Sequence, residues 1–128
     1  MASAGDFNGD GLGDIVITAP GEVREINGQF RQGVVYIVFG SGFITNRTFV
    51  ASQIGSIALP GKVFVSPYEV GTLDEAAPKT AKGIGDVDGD GFDDVMIGNP
   101  DADFVDPAAP TQRRNDAGEI YLIYGSSL

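Results

Sequence analysis

Two short stretches concentrate the acidic chemistry of this chain: Asp6-Phe-Asn-Gly-Asp-Gly-Leu-Gly-Asp14 and Asp86-Val-Asp-Gly-Asp-Gly-Phe-Asp-Asp94. Both read Asp-x-Asn/Asp-x-Asp-Gly-x-x-Asp. Oxygen donors at alternate positions, followed by a glycine that permits a sharp turn, are what a hard cation requires. Calcium takes six to eight oxygens at about 2.3–2.6 Å, in flexible geometry. Positions 1, 3 and 5 supply side-chain oxygens, position 7 a backbone carbonyl and position 9 a last carboxylate. The expected ligands are Asp6, Asn8, Asp10, the Leu12 carbonyl and Asp14 in the first loop. In the second they are Asp86, Asp88, Asp90, the Phe92 carbonyl and Asp94. Water completes each shell, giving two Ca2+ ions per chain.

The first six positions are shared with the EF-hand, whose bidentate Glu stands at position 12. Here position 12 is Ile17 or Ile97, inside an apolar run, so the helical calcium motif is excluded. A lone Asp-Gly pair is ordinary turn chemistry. Two loops with the same donor spacing are not, because their crowded carboxylates repel one another without a cation. The second loop carries four such carboxylates and the first three, with Asn8 neutral. Ligand charge tunes affinity, so the second loop is expected to bind more tightly. Asp93 falls outside the ligand positions and reads as an exposed turn residue. Asp101, Asp103 and Asp106 form a looser group that reads as no third site.

The rest of the composition removes alternatives. The chain has 128 residues, a net charge of −10, and neither His nor Cys. Cys/His zinc sites, thiol nucleophiles and His-based triads are therefore excluded. The eight Lys and Arg are scattered, leaving no basic stripe to displace counterions from nucleic-acid phosphates. No apolar run approaches the roughly 20 residues of a membrane-spanning helix, and no membrane insertion is expected. No signal peptide precedes the first loop, and the sequence starts as if cut from something longer.

The elements that must position the loops emerge from self-comparison. Gly5–Pro20 aligns with Gly85–Pro100, and Gly33-Val-Val-Tyr-Ile-Val-Phe-Gly-Ser41 aligns with Gly118-Glu-Ile-Tyr-Leu-Ile-Tyr-Gly-Ser126. Such internal repeats mean stacked units of one architecture. Each unit reads as strand, loop, strand, long polar loop, strand, because short β-branched and aromatic runs bounded by Gly and Pro favour strands. The first unit has strands at about 2–5, 14–18 and 34–39, and the second at about 80–84, 94–98 and 119–124. Pro60-Gly61 marks a turn, and either 56–59 or 62–66 supplies a fourth, outer strand. No comparable segment follows Ser126. Residues 73–77 read as no more than a turn.

The run Gly-Asp-x-Asn/Asp-Gly-Asp-Gly-x-x-Asp, continued by two apolar residues, Ile and, three positions on, Pro, resembles the FG-GAP repeat, as does Gly-x-φ-Tyr-φ-φ-Phe/Tyr-Gly-Ser. That repeat builds the β-propeller of integrin α-subunits and of many bacterial secreted proteins. The resemblance implies an all-β fold of about two four-stranded antiparallel blades, the second lacking its outer strand. One blade would occupy about 1–66 and the other about 67–128. It also implies calcium in the ten ligand positions above, an extracellular or cell-surface setting, and a non-catalytic role in adhesion or in binding protein or glycan. Tyr68, Phe104, Arg113 and Arg114 lie in loops that could touch such a ligand. Two further readings are a non-catalytic module of a secreted enzyme and a self-assembling propeller building block. Propellers run to about four to eight blades. The missing blades would come from other copies of the chain, in a closed homo-oligomer of two, three or four, or from a longer parent chain. Apolar runs such as Ile15-Val-Ile17 and Ile120–Tyr124 are expected to need cover on both faces.

Overall fold

The structure is a computed structural model that describes residues 1–41, 48–67, 77–105, 108–109, 111 and 113–127. Its regular elements are nearly all strands. They are β1 (Ala2–Gly5), β2 (Asp14–Ile26), β3 (Gln29–Val38), β4 (Gly61–Val65), β5 (Thr80–Gly85), β6 (Asp94–Asn99), β7 (Phe104–Val105), β8 (Arg113–Arg114) and β9 (Glu119–Ile123), with one 3-10 turn at Ala51–Gln53. Strands β1-β2-β3-β4 form one antiparallel sheet, β5-β6-β9 a second, and β7-β8 a small ribbon. The two larger sheets are the two expected blades. The fourth strand of the first is Gly61–Val65, the segment after Pro60. Among the described residues no strand pairs with the free edge of β9. The expected turn at residues 73–77 lies outside the described residues except for Ala77.

Strands β2 and β3 run further than the sequence reading placed them. They continue past an irregularity between Ala19 and Val23 into a long hairpin that closes at Asn27-Gly28. Both turn residues have positive φ, 54° and 81°, the geometry of the tight hairpin turn that Asn-Gly favours. Polar side chains tie the extension down. The Tyr36 hydroxyl donates to Glu22 Oε1 at 2.5 Å and accepts from Arg24 Nη2 at 2.7 Å. The Arg24 guanidinium also lies 5.4 Å from the centre of the Tyr36 ring.

The core lies between the blades. Ala4, Phe7, Val16, Val35, Ile37 and Phe39 of the first blade meet Val95 and Ile97 of the second, with Ala81, Tyr121 and Ile123 packed alongside. Phe7 and Phe39 stack with ring centres 6.4 Å apart. At the crossing of β1 and β5 the backbones come so close that a Cβ on Gly83 would lie 2.8 Å from the Ala4 carbonyl carbon. Only glycine fits a backbone approach of that kind.

The apolar runs are covered unevenly. On the side of the first blade turned away from the second, Ile15, Ile17, Tyr36 and Val38 border a half-open cavity of about 360 Å³ lined opposite by Phe49, Val50, Ile54 and Leu59. The chain's own connection between β3 and β4 thus covers much of this face. The face of the second blade turned away from the first carries Met96, Ile120, Leu122 and Tyr124, all exposed. Among the described residues, the expected cover on both faces is present for the first blade and not for the second.

Candidate metal centre

Each loop opens at a strand irregularity, between Ser3 and Gly5 in the first blade and between Gly83 and Gly85 in the second. The strand is re-aimed there and the chain leaves the sheet. Each loop then closes on its first aspartate. Asp10 N–H donates to Asp6 Oδ1 at 2.9 Å and Gly11 N–H to Asp6 Oδ2 at 2.9 Å. The equivalents are Asp90 N–H to Asp86 Oδ1 at 3.1 Å and Gly91 N–H to Asp86 Oδ2 at 2.8 Å. Leu12 N–H turns back to Asp10 Oδ1, and Phe92 N–H to Asp90 Oδ1. Gly11 and Gly91, at loop position 6, hold φ of 83° and 95°, the left-handed conformation that the turn demands and that a Cβ opposes.

The last carboxylate of each loop is the anchor. Asp14 and Asp94 start β2 and β6, and both are buried. Asp14 accepts Phe7 N–H at 2.8 Å and Gly40 N–H at 2.7 Å. Asp94 accepts Val87 N–H at 2.8 Å and Gly125 N–H at 2.9 Å. The paired glycines after the third strands, Gly40 and Gly125, thus reach back to the loops. Each carboxylate oxygen keeps lone-pair capacity beyond one N–H, so these anchors retain donor capacity toward a cation.

In the second loop, carboxylate oxygens of Asp86, Asp88 and Asp94 lie within 4.8 Å of one another. Oxygens on opposite sides of a calcium ion at about 2.3–2.6 Å are about 4.6–5.2 Å apart, so this spacing fits one shared ion. Asp90 stands outside the trio, its Oδ1 engaged by Phe92 N–H. In the first loop Asn8 occupies the place of Asp88, and its amide donates to Asp10 Oδ2 at 2.9 Å. Crowding shows in the acid strengths. Asp88 is raised above the usual aspartate value, first by loss of water inside the loop, then by the charges of Asp90, Asp94 and Asp86. Asp86 is lowered, chiefly by Gly91 N–H. Asp14 is raised by burial, against the pull of Gly40, Phe7 and Asn8 N–H groups.

Asp93 is not the exposed turn residue that its place outside the ligand pattern suggested. It is half-buried, and its Oδ2 accepts the Asp6 N–H at 2.8 Å, while its own N–H donates to the Asp6 carbonyl at 3.1 Å. Only contact between the blades reveals this, since the partners are 87 residues apart. Of the looser acidic group, Asp101 pairs with Lys79 and Asp103 accepts the Asp116 N–H, whereas Asp106 lies outside the described residues. Of the residues considered for ligand contact, Phe104, Arg113 and Arg114 stand not in loops but in the paired strands β7 and β8, where Arg114 is exposed, and Tyr68 lies outside the described residues.

Two antiparallel sheets stacked face to face, each fed by a loop of alternating oxygen donors, define a segment of a β-propeller built from repeats. The chain belongs to the FG-GAP repeat family, which matches residues 2–38 and 83–123. It is similar to integrin alpha-V of Gallus gallus, 28% identical over 122 residues, covering 94% of this chain and 10% of that protein. It is also similar to integrin alpha pat-2 of Caenorhabditis briggsae, 34% identical over 102 residues, covering 77% of this chain and 7% of that protein. The chain thus spans a tenth or less of the length of these relatives.

Proposed function

We propose that the chain is a non-catalytic, extracellular adhesion-type propeller segment whose two loops each hold one structural calcium ion. The observation that carries this reading is that each loop ends in a buried aspartate locked by two equivalent backbone N–H groups. Donor oxygens held in place before the ion arrives lose little freedom when it binds, and a cation relieves the mutual repulsion of the carboxylates. In this site Asp6, Asn8, Asp10, Asp14 and the Leu12 carbonyl would hold the first ion, and Asp86, Asp88, Asp90, Asp94 and the Phe92 carbonyl the second. The ions supply charge neutralisation and rigidity rather than reaction chemistry. Similarity to integrin α-subunits supports the cell-surface setting and a protein or glycan ligand.

Its immediate partners are further blades of the same kind, from other copies of the chain or from a longer parent. The apolar face of Met96, Ile120, Leu122 and Tyr124 supports this, being equivalent in the repeat to the face with which the first blade covers the second. Thermal unfolding in calcium and in chelator tests the function. The midpoint should rise in calcium, since a ligand of the folded state alone stabilises it by mass action, and magnesium should substitute poorly. An unchanged midpoint would sink the structural-calcium reading. Light scattering at micromolar concentration tests the partners, with association in calcium expected.

A further inference from the structure

We propose that Asp93, a ligand position in neither loop, couples the two cation loops, so that filling one raises the affinity of the other. The inference rests on the calcium reading above. Asp6 is position 1 of the first loop, and its backbone is bracketed by Asp93 through two hydrogen bonds, 2.8 and 3.1 Å. Asp93 itself stands between Phe92 and Asp94, positions 7 and 9 of the second loop. Two further contacts join the same segments. The Phe92 ring lies so close over Gly9 that a Cβ there would come within 2.4 Å of Phe92 Cε1. The Phe7 carbonyl accepts Ser126 N–H at 3.0 Å, next to the Gly125 N–H that holds Asp94.

The consequence is mechanical. The Phe92 carbonyl and the Asp94 carboxylate would both hold an ion in the second loop, and the segment 92–94 between them would be fixed when they do. Asp93 then presents its carboxylate and N–H in one orientation, which fixes the Asp6 backbone from which the first ligand of the other loop springs. Linkage makes the effect reciprocal, with the same factor in both directions. Position 8 of the first loop is Gly13, with open space where a Cβ would be. A loop therefore does not need an acid there for its own closure, and Asp93 acts as a positioning residue for its neighbour.

Calorimetric calcium titration of the whole chain tests this. Asp90→Ala, which cripples the second loop, should lower the affinity of the first at least about fivefold, the low end of ordinary coupling between sites. Asp10→Ala should lower the affinity of the second loop by the same factor, a measurement that needs no change at Asp93. In an Asp93→Ala background the Asp90→Ala change should leave the first loop nearly unaffected. Asp93→Asn, which keeps an acceptor for the Asp6 N–H, should retain most of the coupling. Independent loops in the unmodified chain, coupling that survives Asp93→Ala, or equal loss in the Asn and Ala variants would each overturn the proposal while leaving the calcium reading intact. No calcium uptake by either loop would overturn both.

Discussion

The two blades carry the same three core strands, yet equivalent positions have opposite fates. Ile37 is fully buried and its counterpart Leu122 is 39% exposed; Val35 is fully buried and Ile120 is 69% exposed. Phe7, at loop position 2, is 2% exposed, and Val87 at the same position is 52% exposed. The strands, register and loop bonds are alike, so the difference comes from what lies against each sheet. The first blade rests on the second and is bordered behind by its own residues 49–59, whereas among the described residues the second has a neighbour on one face alone. Burial in a repeat protein is thus a property of the stack, carried by nearest-neighbour interfaces.

The comparison can be broken most sharply at the core pair. Ile37→Ala should cost about 2–5 kcal/mol in denaturant unfolding, the range for a buried large-to-small change. Leu122→Ala should cost well under half as much if that face is open. Equal costs would mean that it is covered in solution.

The anchors come next. Asp14→Ala and Asp94→Ala each strand one buried and one part-buried backbone N–H and should each cost about 1–3 kcal/mol, the range for an unsatisfied buried donor. The two variants should match, because their bonds match; a large inequality, read from urea midpoints, would show that the loops are not equivalent supports.

An effect of similar size is expected where the blades touch backbone to backbone. Gly83→Ala places a methyl 2.8 Å from Ala4 and should destabilise by about 1–3 kcal/mol, as overpacking does. Gly13→Ala, into open space, should be close to neutral. Thermal midpoints of the pair measure how tightly the crossing is set.

The finest test makes one loop imitate the other. Asp88→Asn copies Asn8. A raised carboxyl pKa means that folding is favoured by protonation, so in chelator the Asp88 carboxylate works against stability as pH rises above its unfolded value of 3.8. Asp88→Asn should then slightly raise the unfolding midpoint at neutral pH in chelator, and lower the calcium affinity of the second loop toward that of the first. Asp86 has the opposite sign: its lowered pKa stabilises above 3.8, and that contribution disappears as pH falls through the folded value. A midpoint in chelator that falls on Asp88→Asn would mean that the neighbouring carboxylates do not repel it.

What the sequence determined by itself is local. Short continuous apolar runs, the glycines that punctuate them and two copies of one donor pattern are short-range signals, and they suffice for the strands of both blades and for the repeat. Gly5, Asp14 and Asp94 fall at the positions that the repeat alignment assigns them. The Asn27-Gly28 turn was also legible in principle, as a local hairpin signal, but the polar residues around it concealed strands that face solvent. Tertiary structure decided the rest. It selected Gly61–Val65 as the fourth strand, because only pairing with β3 distinguishes it from the segment before Pro60. It buried Phe7 where Val87 is exposed, and it turned Asp93 from a turn residue into a bond between blades. Those outcomes depend on groups brought together from 23 to 87 residues apart, and no pattern along the chain records which surface of a repeat will find a neighbour.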